Sequence, residues 1–193
     1  MATLLIGDFR LKQLQYCKDT HDNIFITTDT ADYSWFSSSL IDQLKLYNNN
    51  NLNVVIALGF NDCLYSHLWD NLSIDSIAAK YVEAIDKLVT DLPRFKFFVC
   101  SVTPVDSGYC FANKHISASD LTETINAFNT KIKTSKANFI DCYQYLTDTC
   151  FSTRDGVRYT ADTCERLLVY TASASSTVIS RMSAPSCCSF STM

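Results

Sequence analysis

The sequence contains little glycine and proline and no cluster of basic residues. Its 4 Gly and 3 Pro in 193 residues exclude a collagen-like chain and argue against disorder. The net charge of −4, with no basic block anywhere, gives no electrostatic reason to expect a nucleic-acid partner. No apolar run reaches the roughly 18 residues of a membrane span, so no membrane partner is predicted. What remains is an ordinary globular composition, with 47% hydrophobic and 19% charged residues.

The amino terminus shows no signal peptide. It has no positively charged region and no small-residue cleavage site, so we expect a cytoplasmic protein. In that compartment its 9 cysteines would stay reduced. No Cys-x-x-Cys pair occurs, and the adjacent Cys187 and Cys188 have poor geometry for chelation. We therefore predict no metal site and no cofactor, and interpret most cysteines as small buried hydrophobic residues.

Apolar runs that stop at polar turns recur along the chain and alternate with amphipathic segments. This alternation predicts an α/β fold, a three-layer α/β/α sandwich around a parallel five-stranded sheet. The carboxyl ends of such strands are where open α/β sheets place their ligands. The predicted strands cover 2–6, 23–28, 52–58, 95–102 and 139–141. The predicted helices cover 11–18, about 36–46, 73–92, 118–134 and 161–170.

The length suits one domain with a substantial core and is too short for two. We expect this domain to span residues 1–170. Beyond Thr171 the composition shifts to Ser, Thr, Ala and Cys, and the hydrophobic periodicity vanishes. Residues 171–193 are therefore predicted to form a weakly structured tail.

Four polar turns of the chain, in this order, resemble the sequence blocks of the SGNH (GDSL-type) hydrolases. The resemblance covers residues 2 to about 170 and implies the SGNH-hydrolase fold, which is flavodoxin-like, and kinship with ester hydrolases. The four turns are Gly7-Asp8-Phe9-Arg10, similar to Gly-Asp-Ser; 30–36, similar to the second block; Gly59-Phe60-Asn61-Asp62, which matches Gly-x-Asn-Asp; and Asp155-Gly156-Val157-Arg158-Tyr159, which lies where the family has Asp-Gly-x-His-Tyr.

The family's chemistry needs a serine nucleophile, a histidine base, an aspartate that orients the base, and donors for the oxyanion. The resemblance implies that Asp155 is the retained acid, and that the Asn61 amide and the Thr30 backbone N–H are oxyanion donors. At the nucleophile position, Phe9 has no nucleophilic atom, and its own N–H is the third expected donor. At the base position, Arg158 keeps its proton near neutral pH. These two losses predict an inactive protein that retains a binding cleft.

Several residues near the predicted cleft have more than one interpretation. Asp8 is interpreted mainly as an acceptor for its own turn, with ligand binding as the alternative. Arg10 and Arg158, together with Asn61, would suit an anionic or carbonyl-bearing ligand, although solvated or ion-paired arginines are the simpler expectation. The aromatic residues in 33–36 could wall a carbohydrate or acyl pocket or simply pack in the core. A small ester, a carbohydrate and an anion are therefore the candidate ligands.

Two other hypotheses of function stay open at this stage. The chain could be an active esterase or acetylesterase that uses Cys63 as a thiol nucleophile, with His67 or His115 as the base. It could instead be a structural or assembly subunit whose cleft is vestigial. The sequence leaves the oligomeric state open.

Overall fold

A computed structural model describes residues 3–17, 23–47, 52–69, 73–108, 110–111 and 116–182. The strands in these ranges are β1 (Thr3–Gly7), β2 (Asn23–Thr27), β3 (Asn53–Ala57), β4 (Lys96–Cys100), β5 (Cys110–Phe111), β6 (Ile116–Ser117) and β7 (Asn138–Ile140). The helices are α1 (Phe9–Lys12), α2 (Tyr33–Lys45), α3 (Phe60–Tyr65), α4 (Ile74–Asp91), α5 (Ala118–Ile132), α6 (Cys142–Asp148) and α7 (Ala161–Met182), and a 3₁₀ turn (Gln13–Tyr16) follows α1.

The main sheet has five parallel strands in the order β2-β1-β3-β4-β7, which confirms the predicted sheet. In its register Gly7 lies beside Thr27 on one side and Ala57 on the other. The turns that follow β1, β2 and β3 therefore start level with one another, at the carboxyl edge of the sheet. Strands β5 and β6 form a separate antiparallel pair, within a segment that the sequence pattern predicts to be a loop.

Helices cover both faces of the sheet, because successive residues of a buried strand point to opposite sides. Leu4 and Ile6 belong to one buried cluster, which includes the apolar faces of α2, α4 and α5. Leu5 and Val55 belong to a second cluster, with the apolar faces of α1, α6 and α7. These two clusters confirm the α/β/α layering.

Helix α1 begins two residues earlier than the sequence pattern predicts. The Asp8 carboxylate accepts a hydrogen bond from the Arg10 backbone N–H at 2.9 Å and so caps the helix at Phe9. After Lys12 the chain tightens into the 3₁₀ turn, whereas an α-helix over 11–18 was predicted. Aspartate is a strong N-cap residue, and here it makes the end of β1 and the start of α1 almost continuous.

Helix α7 continues to Met182, although the predicted helix ends near Tyr170. The hydroxyl of Thr171 donates to the Leu167 carbonyl at 2.8 Å, and that of Ser175 donates to Ala172 at 2.9 Å. Such bonds to the preceding turn satisfy buried hydroxyls, so a segment rich in Ser and Thr can stay helical. The rest of the predicted tail, 183–193, lies outside the described residues. None of the described helices is long and apolar enough to cross a membrane.

The buried Asp62 connects three helices behind the edge of the sheet. Asp62 lies in α3. Its carboxylate accepts hydrogen bonds from the backbone N–H of Tyr33 in α2 at 3.1 Å and from the hydroxyl of Tyr81 in α4 at 2.8 Å. Burial raises the pKa of Asp62 to about 6, although both hydrogen bonds act to lower it. The charged form is therefore less stable in the folded protein than in the unfolded chain, where the carboxylate is in water.

This raised pKa predicts that folding stability depends on pH. Between pH 4 and 6 the folded protein holds a proton that the unfolded chain releases, so the free energy of unfolding falls as the pH rises through this window and stays low above it. The contribution of Asp62 is at most about 3 kcal/mol. Asp62→Asn keeps an acceptor for Tyr33 and a donor for Tyr81, and should reduce this slope in urea unfolding. A smaller slope remains, because burial also raises the pKa of Asp8 to about 6. Parallel slopes for the two proteins would contradict the assignment.

Candidate functional site

A cleft of about 570 Å³ opens at the carboxyl edge of the sheet. Four of the residues that line it are Phe9 after β1, Asn61 after β3, and Asp155 and Arg158 in the turn before α7. The family resemblance draws these residues from three separate turns of the sequence. The fold brings them together because the loops of a parallel sheet converge at one edge.

Gly59 sets the direction of the turn between β3 and α3. Its φ of 111° lies in the left-handed region that favours glycine. A Cβ atom at this position would also lie 2.5 Å from the ring of Phe128. This glycine therefore lets α3 start at once and places Asn61, in its first turn, at the cleft.

Phe9 and Arg158 face one another in the cleft. The half-buried ring of Phe9 packs edge-to-face against Phe60, with ring centroids 5.5 Å apart. The guanidinium carbon of Arg158 lies 6.0 Å from the centroid of the Phe9 ring. An apolar ring and a cation thus occupy the two positions where the resemblance expects a nucleophile and a base.

Asp155 is paired with Arg158 through both of its oxygens. Oδ1 accepts the backbone N–H of Arg158 at 2.7 Å and that of Val157 at 3.1 Å, and Oδ2 accepts Nη1 of Arg158 at 2.8 Å. Partial burial acts to raise the pKa of Asp155, but these bonds and the guanidinium charge outweigh it and lower the pKa. Asp155 is therefore a carboxylate at neutral pH, and its partner is a permanent cation.

The amide of Asn61 holds the turn after β2 in place. Its Nδ2 donates to the Asp29 carbonyl at 3.1 Å and to the Ala31 carbonyl at 2.8 Å. Because an amide group has two hydrogens, both are committed to this turn and neither points to a ligand in the cleft. Thr30 is exposed between the two carbonyls. The expected oxyanion donor thus has a structural role in this conformation.

Arg10 points away from the cleft and is only 6% exposed. Its guanidinium donates to the Thr103 carbonyl at 2.6 Å, to the Thr103 hydroxyl at 2.9 Å and to the Pro104 carbonyl at 3.2 Å. The guanidinium carbon also lies 3.9 Å from the centroid of the Phe60 ring. Neighbouring residues of a helix differ by about 100° in direction, so Arg10 faces the interior when Phe9 faces the cleft. This differs from the expected second cation at the ligand site.

Asp8 is also interior, with 3% exposure. Burial raises its pKa to about 6, while the Arg10 charge and the N–H groups of Arg10 and Leu11 act to lower it. The hydrogen bond that caps α1 gives Asp8 the structural role favoured by the sequence analysis.

Four further cleft residues, on α1, its 3₁₀ turn and the turn after β2, are not among those predicted from the sequence. Lys12, Gln13 and Tyr16 line the cleft, and so does Asp29 after β2. Lys12 forms an ion pair with Asp29 at 3.0 Å. The signal was available in the spacing, since positions 12, 13 and 16 follow Phe9 at i+3, i+4 and i+7, on one helical face. The predicted helix over 11–18 does not include Phe9, so it does not show this spacing.

The structure gives the thiol hypothesis little support. Cys63 is fully buried, and burial, together with the Asp62 charge, raises the pKa of its thiol well above the ordinary value. A reactive cysteine needs the opposite, a lowered pKa and access to solvent. The Nε2 atom of His67 lies 2.7 Å from the Thr124 hydroxyl, to which it is hydrogen-bonded. His115 lies outside the described residues.

Arg10→Met tests the interior role of this arginine. It removes the donors to the Thr103 carbonyl and hydroxyl, and we expect the free energy of unfolding to fall by about 2–4 kcal/mol. Urea unfolding monitored by tryptophan fluorescence measures the change. The control Lys45→Met removes an exposed ion pair with Asp42 and should change stability by less than about 0.5 kcal/mol. Equal effects of the two variants would rule out a stabilising role for the buried guanidinium.

No family model and no curated protein matches the sequence. Several solved structures match the fold. A GDSL-like lipase from Bacteroides thetaiotaomicron superposes with a TM-score of 0.69 at 14% identity, over 92% of this chain and 88% of that one. The acetyl xylan esterase AlAXEase gives 0.66 at 16%, over 90% and 99%, and the lipase/acylhydrolase from Enterococcus faecalis gives 0.56 at 16%, over 94% and 97%. The chain thus has the α/β fold of the GDSL-like (SGNH) lipases and acylhydrolases.

Proposed function

We propose that this chain is a catalytically inactive SGNH-hydrolase-like protein that uses its cleft to bind a small ligand. The observation that carries the proposal is the Arg158–Asp155 ion pair, which faces the ring of Phe9. The ion pair leaves the cleft open and polar, but positions 9 and 158 provide neither a nucleophile nor a base.

Ester hydrolysis in this fold would need an attacking oxygen and a group that removes its proton. The Phe9 ring offers only carbon atoms, and a guanidinium does not release its proton in proteins. Removing one member of a catalytic triad typically lowers the rate by ~10⁴ to 10⁶. With both members replaced, only weak electrostatic catalysis would remain.

The hydrogen bonds of one expected oxyanion donor also support the proposal. The Asn61 amide, the expected side-chain donor, has both hydrogens on the carbonyls of Asp29 and Ala31. Removing one such donor typically lowers kcat by ~10² to 10³. Three separate elements of the expected machinery therefore support loss of hydrolysis.

The structural neighbours indicate which ligands to test first. They include a lipase and an acetyl xylan esterase, so acyl esters and carbohydrates are the first candidates for the cleft of this chain. At 14% and 16% identity these neighbours share the fold, and their substrates are carried to this protein only as part of the proposal.

Ester turnover tests the loss of catalysis. We expect no hydrolysis of p-nitrophenyl acetate or acetylated xylan above background, and none for Phe9→Ser alone, because the base is still absent. The double variant F9S/R158H should gain measurable turnover, since serine and histidine would then stand where Phe9 and Arg158 face one another. Turnover by the wild-type protein that Cys63→Ala abolishes would overturn the proposal in favour of the thiol hypothesis.

A thermal-shift screen separates a binding cleft from a vestigial one. A ligand that binds the folded protein at 100 times its Kd adds about 2.7 kcal/mol to the free energy of unfolding. We expect a rise in melting temperature with at least one small ester or saccharide. Asp155→Ala, which breaks the ion pair at the cleft, should remove this rise. Identical melting temperatures across the screen would favour the structural-subunit hypothesis.

A further inference from the structure

The charged residues that line the cleft are already paired with one another. Lys12 Nζ lies 3.0 Å from Asp29 Oδ1, and Arg158 Nη1 lies 2.8 Å from Asp155 Oδ2. These four side chains carry no net charge together. An anionic ligand bound at either cation would lie beside a carboxylate already at contact distance and would face its repulsion. The anionic ligand considered from the sequence is therefore disfavoured.

The same ion pairs suit neutral hydroxyl groups. Asp29 is 64% exposed and Asp155 43% exposed at the side chain, so both carboxylates keep acceptor sites open to the cleft. The Arg158 guanidinium has five N–H groups, more than its bond to Asp155 uses. A hydroxyl group both donates and accepts, and so it can bind beside either member of a pair without breaking the pair.

Exposed aromatic surface lines the same cleft as these polar groups. Tyr16 lies at the end of the 3₁₀ turn that follows α1, and 80% of its surface is exposed. An aromatic ring of this kind offers a flat apolar face beside a polar edge. Such a face matches the C–H side of a pyranose ring, whose hydroxyl groups point outwards toward the ion pairs.

We propose that the cleft binds neutral, hydroxyl-rich rings, the sugar units of an oligosaccharide, through stacking on Tyr16 and hydrogen bonds to the two ion pairs. This inference rests on the proposed function in that the sugar is bound and released unchanged. The cleft volume of about 570 Å³ falls within the range of small-molecule sites and has room for more than one sugar ring.

A glycan array that carries neutral and acidic oligosaccharides, probed with the full-length protein, gives the first readout. The second is calorimetric titration with galactobiose and digalacturonate, which share ring stereochemistry and differ in the carboxylates. We expect neutral glycans to be retained and galactobiose to bind more tightly than digalacturonate. Retention of acidic glycans only, tighter binding of digalacturonate, or retention of no glycan would overturn the inference.

Variants of Tyr16 locate the site. Tyr16→Ala should weaken binding of the best neutral glycan about tenfold or more, whereas Tyr16→Phe, which keeps the ring, should bind nearly as well as the wild type. Trp69→Ala removes an exposed aromatic that packs on Tyr65 outside the cleft lining, and should leave the affinity unchanged. Equal losses for the Tyr16 and Trp69 alanine variants would place the sugar elsewhere and overturn the inference.

The two proposals fail in different ways. Hydrolysis of an acetylated oligosaccharide by the wild-type protein would overturn the loss of catalysis, whatever the affinity for the deacetylated sugar. A protein without turnover that binds no neutral glycan would overturn the sugar inference alone. Mass spectrometry of the glycan after incubation distinguishes an unchanged ligand from a hydrolysed one.

Discussion

The parallel register of β1, β2 and β3, which places Gly7 beside Thr27 and Ala57, is the constraint on which the cleft depends. Because the three strands end level, each of the turns that follow contributes to one shared edge. Asn61 then ties two of these turns together through the carbonyls of Asp29 and Ala31. The pairing of the backbone strands therefore sets the position of the cleft, and the side chains set its chemistry.

Charged residues have different partners in the interior and at the cleft. In the interior, the Arg10 guanidinium donates to carbonyl oxygens and packs on an aromatic ring. The Asp62 carboxyl accepts hydrogen bonds from neutral donors, and its burial raises its pKa. At the cleft, Arg158 and Asp155 are partly exposed and pair directly, and their contact lowers the pKa of Asp155. The interior charges support the fold, whereas the exposed pairs are accessible to a ligand.

The chain shares its fold with GDSL-like hydrolases, but two of its cleft residues differ from those that the family resemblance expects. The chain superposes on GDSL-like lipases and acylhydrolases over nearly its whole length at 16% identity or less in the three structures compared. Yet Phe9 and Arg158 stand where the sequence resemblance expects the reacting groups. A fold supports many functions, and the function is decided by the groups that reach the site. In this chain those groups are an aromatic face and ion pairs.

The sequence by itself determined the five-stranded parallel sheet and the layered fold, because hydrophobic periodicity and strand-end turns are local signals. The family resemblance then predicted that Phe9, Asn61, Asp155 and Arg158 share one cleft. The sequence did not predict the extension of α7 to Met182, since hydroxyl bonds to the preceding turn leave no trace in the hydrophobic pattern. Only the tertiary structure decided that Arg10 faces the interior and that the cleft charges are paired. It also decided that both amide hydrogens of Asn61 bond to the turn after β2. Each of these depends on which distant groups a side chain meets. Thr103 lies 93 positions after Arg10, and no local pattern in the sequence records their contact.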